Sequence, residues 1–260
     1  MNEWALVTGA SSGIGLELAR ILAREGRNLV IAARRLERLE ELAANLRNLY
    51  AVRVEPLQSD LSQQEGAPEL YRSVRELGIV PGILVNNAGI GDLGAFAEMD
   101  PERLVSIINI NCLSLAHLTR LFLPEIIAYG GGRVLNVSSS AAFQPGPYMA
   151  AYYASKAFVQ SLSEALSEEL ADRGVTVTAL CPGPTRSEFQ EGARMDTEKY
   201  FAKAGVPTAQ EVAEYGYRAL MRGKRVAVHG LSSKLLLFVS RFLPRRLVVA
   251  AIRKLQESRG

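Results

Sequence analysis

One glycine-rich turn constrains the fold of this chain more than any other feature. Residues 8–15 read Thr-Gly-Ala-Ser-Ser-Gly-Ile-Gly, between a short apolar run at 4–7 and an amphipathic stretch at 16–25. Glycines at a strand-to-helix turn let the backbone approach a phosphate, and the helix start offers free N–H donors. Such glycines also occur in ordinary loops, but the flanking strand and helix favour a nucleotide site. The predicted contacts are Gly9, Ser11, Ser12, Gly13, Ile14 and Gly15.

Strand-like and helix-like patterns alternate along the rest of the chain. Apolar runs predict strands at 4–8, 29–33, 52–57, 83–86, 133–137, 176–180 and 225–228. Helical patterns separate them at 14–24, 36–49, 65–77, 101–127, 151–172 and 210–222. This alternation predicts an α/β fold: a doubly wound, Rossmann-like parallel sheet of about seven strands. The length of 260 residues, with 48% hydrophobic and 22% charged, fits a single globular domain.

Four of the motifs follow predicted strands. Gly9, Asn87, Ser139 and Pro182 each come just after one. Ligands of a doubly wound sheet bind beyond the carboxyl ends of its strands. The sequence therefore places these motifs together on one edge.

Two arginines follow the second strand, where many nucleotide sites carry an acid. The strand ends Ala-Ala-Arg34-Arg35, and no acidic residue occurs from Gly26 to Leu36. An acid here binds the ribose 2′-hydroxyl of NAD, whereas arginine pairs with the 2′-phosphate of NADP. The alternative is a solvated helix start, but arginine at the positive end of a helix dipole is unfavourable without an anion. We predict NADP(H).

Further motifs give the chain a family resemblance. Asn86-Asn87-Ala88-Gly89 ends a buried strand, Tyr152 and Lys156 lie four apart on a predicted helix, Ser139 precedes the tyrosine by thirteen residues, and Asn111 lies upstream. With the glycine turn, and in this order, the set resembles the short-chain dehydrogenase/reductase family from about residue 3 to about residue 190. The resemblance implies hydride transfer between a nicotinamide cofactor and a carbonyl or alcohol.

A tyrosine and a lysine four residues apart on a helix face the same way. A free tyrosine has a pKa of about 10, and a neighbouring cation stabilises the phenolate and lowers that value. We therefore predict Tyr152 as the acid/base and Lys156 as its partner. Tyr153, three residues from the lysine, is predicted to pack nearby.

The resemblance also implies roles for a serine and an asparagine. Ser139 holds the substrate oxygen, with Ser138 and Ser140 as alternatives for the register. Asn111 positions a water that links the lysine to solvent. Asparagine inside a helix often bonds backbone instead, and Asn109 is the competing choice.

Several cofactor contacts follow from the resemblance. Asp60 and Leu61 contact adenine, although Asp60 also suits a plain helix N-cap. Asn87, Ala88 and Gly89 pass close to the adenosine ribose. The remaining predicted contacts, which include one to the nicotinamide carboxamide from the threonine, are Pro182, Gly183 and Thr185.

The segments bordering this edge are apolar. Phe143 and Met149 precede Tyr152, and Phe189 and Met195 lie in an irregular insertion at 186–206. They predict a lipophilic ketone, aldehyde or alcohol as substrate, unless they only pack the loops onto the sheet. An epimerase or dehydratase, and a non-catalytic NADP-binding sensor, are the alternatives.

Residues 231–260 form an apolar and basic tail after a main region at 1–230. The basic run from Arg241 to Arg246 interrupts its apolar stretches, so contact with a membrane surface is one interpretation. We favour packing on the body or on a second subunit. The long helices at 101–127 and 151–172 resemble those that form subunit contacts in the family, which predicts a homodimer or homotetramer.

Bulk properties predict the remaining features. The net charge is +3 and the basic residues are spread over helix faces, which argues against nucleic-acid binding. The two cysteines, Cys112 and Cys181, lack metal-ligand spacing, so we expect no metal. The first strand begins at about residue 3, which leaves no room for a leader. We therefore expect a cytoplasmic protein.

Overall fold

The computed structural model describes residues 4–196, 205–240 and 242–257. Seven parallel strands form one sheet in the order β3-β2-β1-β4-β5-β6-β7. The strands are β1 Trp4–Thr8, β2 Asn28–Ala33, β3 Val54–Gln58, β4 Ile83–Asn86, β5 Gly132–Val137, β6 Val175–Cys181 and β7 Val226–Val228. The predicted doubly wound fold is confirmed, because the order reverses between β1 and β4.

Helices cover both faces of the sheet. They are α1 Gly13–Arg24, α2 Leu36–Tyr50, α3 Gly66–Glu76, α4 Pro101–Ile108, α5 Leu115–Ala128, α6 Ala150–Glu169, α7 Phe189–Gly192, α8 Ala209–Met221, α9 Leu231–Ser240 and α10 Arg245–Glu257. The central strands β1 and β4 are mostly apolar because both of their faces are buried. In β1, Val7 joins the core under α1, whereas Leu6 joins the core under α3 and α5.

The long helix predicted at 101–127 consists of three parts. It begins as α4, where Asp100 accepts a hydrogen bond from the Glu102 N–H and Pro101 fills the first turn. A π-helix, Asn109–Ser114, follows, and α5 continues to Ala128. A periodic pattern of apolar residues does not reveal this π-turn, which carries Asn111. π-turns inside helices occur frequently at functional sites.

The insertion after β6 is partly described. The structure shows residues 186–196, which include α7, whereas residues 197–204 lie outside the described part. Arg241 of the predicted basic run also lies outside it. The tail continues from β7 as α9 and α10.

Candidate active site

The carboxyl ends of the strands open into one cleft of about 520 Å³. Of the predicted site residues, those lining it are Gly9, Ser11, Ser12, Gly13, Ile14, Arg34, Arg35, Asp60, Leu61, Asn87, Ala88, Gly89, Ser139, Tyr152, Lys156, Pro182, Gly183 and Thr185. Gly15 and Asn111 lie behind the wall of the cleft, in contact with residues that line it. The structure therefore brings the predicted set together, while the role of each residue remains a prediction.

The glycine turn packs against the segment that follows β4. Gly9 has φ +65° and Gly13 has φ +56°, both in the region that favours glycine. A Cβ on Gly15 would lie 2.3 Å from Nδ2 of Asn87. That amide donates to the Thr8 carbonyl at 2.9 Å, which fixes the two segments side by side. The resulting cradle fits a dinucleotide, because only glycine leaves the backbone open there.

An anion already sits beside the second strand. The Glu188 carboxylate pairs with Arg35 at 2.8 Å and with Arg38 at 2.7 Å. Arg35 also donates to the Ser11 hydroxyl at 3.0 Å. Burial opposes ionisation of Glu188, but the hydrogen bonds from the two arginines outweigh it and hold its pKa below the ordinary range. The helix start thus has the anion that its arginines require, supplied by the chain itself.

Arg34 also lines the cleft, where its charge acts on Asp60. The Asp60 carboxylate accepts hydrogen bonds from the Ser62 hydroxyl at 2.7 Å and from its backbone N–H at 3.0 Å. Burial opposes ionisation here too, yet these bonds and the charge of Arg34 lower the pKa of Asp60. Asp60 caps a turn that ends before α3, so it is not the N-cap of that helix.

Lys156 is buried at the floor of the cleft. Its side chain is 4% exposed, and Nζ donates to the Val137 carbonyl at 2.8 Å. Burial lowers its pKa from the ordinary 10.5 to about 8. Nζ lies 5.8 Å from the centroid of the Tyr152 ring. A buried cation therefore stands beside a phenol that faces the cleft.

The two adjacent tyrosines have different surroundings. The Tyr152 ring contacts Phe189, with the ring centroids 5.2 Å apart, on the cleft side. Tyr153 is 7% exposed, and its hydroxyl accepts a hydrogen bond from Gln256 at 2.7 Å. Tyr153 thus ties the tail to the body, which agrees with its predicted packing role.

The three serines after β5 are not equivalent. The Ser138 hydroxyl donates to the Lys156 carbonyl at 3.0 Å, so it holds α6 to the strand. The Ser139 hydroxyl accepts from the Ala141 N–H at 3.1 Å and lies on the wall of the cleft. Since a hydroxyl accepting one bond still has its own proton to donate, this geometry favours the predicted register.

Asn111 is fully buried in the π-helix. Its amide exchanges two 2.9 Å hydrogen bonds with the backbone of Ile90 and donates a third to Ser155 at 2.8 Å. The expected alternative, bonding to backbone, thus applies to its side chain. Asn109 instead donates to the Ser62 carbonyl at 2.8 Å. A Cβ on Gly89 would touch both Oδ1 of Asn111 and Nζ of Lys156, so the asparagine does flank the lysine.

The segment after β6 joins the cofactor edge to the substrate side. The Thr185 hydroxyl donates to the Gly183 carbonyl at 3.0 Å, and Gln190 donates to the Thr185 carbonyl at 2.9 Å. Thr185 is 5% exposed, so this segment is held firmly against the body. This segment leads directly into α7.

Residues 186–196 and α10 form a roof over the substrate end of the cleft. An apolar cluster lies beneath it, formed by Leu93, Ala141, Met149, Tyr152, Tyr153, Phe189, Ala193, Met195, Val248, Ile252 and Leu255. The buried Asp92 carboxylate anchors the roof through Arg194 at 2.5 Å, and Arg103 donates to the Gly91 and Gly192 carbonyls. A Cβ on Gly91 would lie 2.7 Å from the Phe189 ring, so glycine allows this close approach.

Sequence reasoning missed several residues that shape the cleft. Arg38 lies one turn after Arg35, so the helical spacing could have revealed it. The other members are Glu188, Asp92, Arg194 and Gln256. Their partners are about a hundred residues or more away in sequence, and no local pattern predicts such pairs.

Residues 3–198 match the short chain dehydrogenase family, so the chain belongs to that family. Among curated relatives it is 37% identical over 182 residues to a very-long-chain 3-oxoacyl-CoA reductase of Phaeosphaeria nodorum, covering 68% of this chain and 53% of the relative. It is 36% identical over 191 residues to 17-beta-hydroxysteroid dehydrogenase type 3 of Mus musculus, covering 70% and 60%. The chain thus spans little more than half the length of these two relatives.

Solved structures with the same fold contain either nicotinamide cofactor. A short-chain dehydrogenase from Sphingobium yanoikuyae in complex with NADPH matches with TM-score 0.82 and 34% identity, covering 92% of this chain and 93% of that one. A Burkholderia phymatum protein in complex with NAD matches with TM-score 0.82 and 24% identity over the same shares, which shows the fold alone. The chain therefore belongs to a family of oxidoreductases that have a nicotinamide cofactor site.

The prediction of a cytoplasmic location is wrong. It took the cytosol as the default for a chain with no leader and no metal site. The relatives named above are, by name, enzymes of very long acyl chains and hydroxysteroids, and such lipids partition into membranes. Within the described residues one helix, Pro101–Ala128, is also long and apolar enough to cross a membrane by length and composition alone, with 44% of its most apolar window buried.

Proposed function

We propose that this chain is an NADP(H)-dependent oxidoreductase that reduces a lipophilic ketone or aldehyde, or oxidises the corresponding alcohol, with Tyr152 as the acid/base. The observation that carries the proposal is the buried Lys156 ammonium beside the Tyr152 ring, at the edge where the glycine turn and Ser139 meet. Burying a cation costs free energy, so a buried lysine with a shifted pKa in a cleft indicates a functional site. The function that we assign to it is to stabilise the phenolate of Tyr152.

Each residue has one part in the reaction. The cofactor, when bound in the cradle, supplies the hydride that reaches the carbonyl carbon. The Tyr152 hydroxyl gives its proton to the carbonyl oxygen, and the Ser139 hydroxyl donates a hydrogen bond to the same oxygen. The Lys156 charge stabilises the phenolate that remains, so the proton transfer proceeds at neutral pH. In the oxidative direction the phenolate takes the proton back.

The preference for NADP rests on the arginine cluster. Arg35 and Arg38 both donate to the Glu188 carboxylate, and Arg35 also donates to the Ser11 hydroxyl. A phosphate dianion offers more charge and more acceptor oxygens than a carboxylate to such a set of donors. The NADPH complex of the Sphingobium relative supports the same preference.

The proposal of a lipophilic substrate is based on the apolar residues of the roof. Met149, Phe189, Met195 and Ile252 form an apolar wall next to Tyr152. An apolar wall with a few polar groups at one end suits a ligand whose reactive oxygen is its main polar feature. The substrates in the names of the two curated relatives are consistent with this class.

We also propose that the chain forms a homodimer or homotetramer through α4 and α6. Val105, Ile108 and Phe158 are exposed on these helices at 56%, 40% and 43%. Large apolar side chains gathered on a helical face favour association. Light scattering measures the assembly directly, and a monomer at high concentration contradicts it.

The experiment for the activity is a turnover assay with purified protein. NADPH and NADH are each offered with ketones of increasing chain length, and absorbance loss is followed. The proposal predicts turnover with NADPH that rises with apolar length. Turnover that prefers NADH, or short polar carbonyls, contradicts the corresponding part of the proposal.

A further inference from the structure

An exposed apolar surface lies at the start of the tail. Seven large apolar side chains are solvent-accessible there, and we name them the tail face: Leu231, Leu235, Phe238, Val239, Phe242, Leu243 and Leu247. Leu231 is 83% exposed and Phe242 is 75% exposed. Single exposed apolar residues are ordinary on a protein surface, but a contiguous group marks a contact site.

The geometry of α9 turns this apolar side outward. Leu231, Leu235 and Phe238 are spaced four and three apart, so they form one stripe along the helix. The Phe238 ring contacts Phe242, with centroids 5.2 Å apart, which extends the stripe beyond the helix. Leu237, at 9% exposure, faces the body instead. One side of α9 therefore packs on the body, and its other side exposes an apolar surface to solvent.

Charge around the tail face is of one sign. Residues 231–260 contain seven lysines and arginines and one acidic residue, Glu257, which pairs with Arg253, so their net charge is +6; no residue from 231 to 247 is acidic. This charge of +6 is twice the net +3 of the whole chain, so the rest of the protein is net negative. Lys234, Arg245 and Arg246 are exposed beside the apolar stripe. The partner of this surface must therefore offer apolar contact and negative charge together.

From this combination we infer that the tail face lies on an anionic lipid bilayer. Its apolar side chains enter the boundary between headgroups and acyl chains, and its basic side chains contact lipid phosphates. With 10 residues, α9 is too short to span the bilayer, so it lies in the interface plane. A symmetric pairing of two tail faces instead brings two all-positive surfaces together, which disfavours that occupant.

The part of the tail that follows is already occupied. Ile252 is buried in the apolar cluster of the roof, and Gln256 donates to Tyr153. The expectation that the tail packs on the body thus describes α10, whereas the tail face of α9 remains open. Since α10 roofs the cleft, a membrane on the tail face lies next to the substrate end. A lipid substrate can then pass from the bilayer into the cleft without crossing water.

Vesicle co-sedimentation of the full chain tests the inference. The wild type is mixed with phosphatidylcholine vesicles with and without phosphatidylserine. We expect binding to the anionic vesicles and at least about tenfold weaker binding to neutral ones, because several basic side chains contribute. Added salt is expected to weaken the anionic binding by screening. No sedimentation with either vesicle overturns the inference.

Matched variants locate the surface. L235Q/F238Q/F242Q removes the apolar stripe, and we expect at least about tenfold weaker binding to anionic vesicles. L49Q/L77Q/Y129Q removes three exposed apolar side chains elsewhere and is expected to bind as wild type. R245E/R246E is expected to lose binding, whereas R72E/R120E retains it. Equal loss in the stripe variant and its control overturns the inference.

Sedimentation velocity addresses the competing occupant. If the tail face joins two copies, the wild type is larger than the L235Q/F238Q/F242Q variant in the absence of lipid. That result, together with no vesicle binding, assigns the surface to a second copy and overturns the inference. We expect the two proteins to have the same size in the absence of lipid. Circular dichroism verifies that the variants are folded.

Discussion

The strand-end site and the roof above it are held together by different interactions. At the strand ends, Lys156 and Asn111 are buried and bonded to backbone of neighbouring segments. In the roof, Glu188 reaches Arg35 and Arg38 through ion pairs whose side chains are 42–48% exposed. Removing a buried partner costs several kcal/mol, whereas exposed pairs contribute about 0–1 kcal/mol.

This difference in attachment separates the residues that carry out the reaction from those that determine cofactor and substrate preference. The sheet fixes the reacting groups, because moving one of them disturbs a strand end or a buried bond. The arginine cluster and the Glu188 end of the roof are attached by exposed ion pairs that can change at low cost to folding, whereas the Asp92 carboxylate that also anchors the roof is buried. Changes in cofactor or substrate preference are therefore expected in the roof, and loss of turnover in the strand-end site.

The largest expected effect belongs to Tyr152. Y152F keeps the ring and its contact with Phe189 but removes the proton donor, so kcat is expected to fall by about 10²–10⁴-fold. The Kd for NADPH, measured by fluorescence titration, is expected to stay within about twofold of wild type, because only the proton donor is lost. Y153F is the adjacent control and is expected to retain most activity. If Y152F keeps its activity and Y153F loses it, the acid/base is Tyr153 and the assignment to Tyr152 is wrong.

Lys156 gives the site a pH dependence. With a pKa of about 8, its ammonium is present below that pH and is lost above it. Reduction is therefore expected to slow as pH rises through about 8, because the phenolate then lacks its cation. K156R keeps its charge throughout, so a slower but flat profile is expected. An unchanged alkaline limb in folded K156R contradicts this origin.

The sequence predicts that cofactor choice rests on Arg34, but the contacts of Arg35 with Glu188 and Ser11 lead us to expect a larger part for Arg35. R35Q removes a charged hydrogen-bond donor from the phosphate, so Kd for NADPH is expected to rise about tenfold or more. The Kd for NADH is expected to change little. R34Q is the control, since the charge of Arg34 acts on Asp60. Calorimetric titration that finds the larger effect in R34Q shows that the phosphate binds at Arg34.

The smallest expected effect is at Glu188. Its carboxylate pairs with the arginines that the 2′-phosphate needs, so E188Q is expected to tighten NADPH binding by about threefold, within the range of an exposed pair. E191Q removes the same charge one turn along and is expected to have no effect. Weaker NADPH binding in E188Q contradicts competition between the Glu188 carboxylate and the 2′-phosphate for the arginines. It would show instead that Glu188 holds the arginines in position for the phosphate.

Local patterns predicted the sheet and the residues at its edge. The central strands β1 and β4 were found because their apolar runs are buried on both faces, whereas the edge strands β3 and β7 are only partly buried. Tyr152 and Lys156 were predicted from their spacing on one helix, and Ser139 from the family resemblance. The π-turn at Asn111 was missed because apolar periodicity does not distinguish it from α-helix. Glu188 was missed because it meets Arg35 across 153 residues of sequence.

The roof as a whole was beyond local patterns. Asp92 meets Arg194, and Tyr153 meets Gln256, only after the chain has folded around the sheet. In the sequence, nothing distinguishes these residues from residues at ordinary surface positions. The apolar character of the roof was predicted, but not the ion pairs that hold it.

Transfer of a labelled hydride tests the central claim most directly. NADPH deuterated at the reactive carbon of its nicotinamide ring is supplied with a long-chain ketone, and the alcohol is analysed by mass spectrometry. The account predicts one deuterium on the carbinol carbon with wild type and, over the same time, at most about a hundredth as much labelled alcohol with Y152F, even though that variant binds NADPH. Alcohol without the label, or equal labelling by Y152F, contradicts hydride transfer at a site that depends on Tyr152.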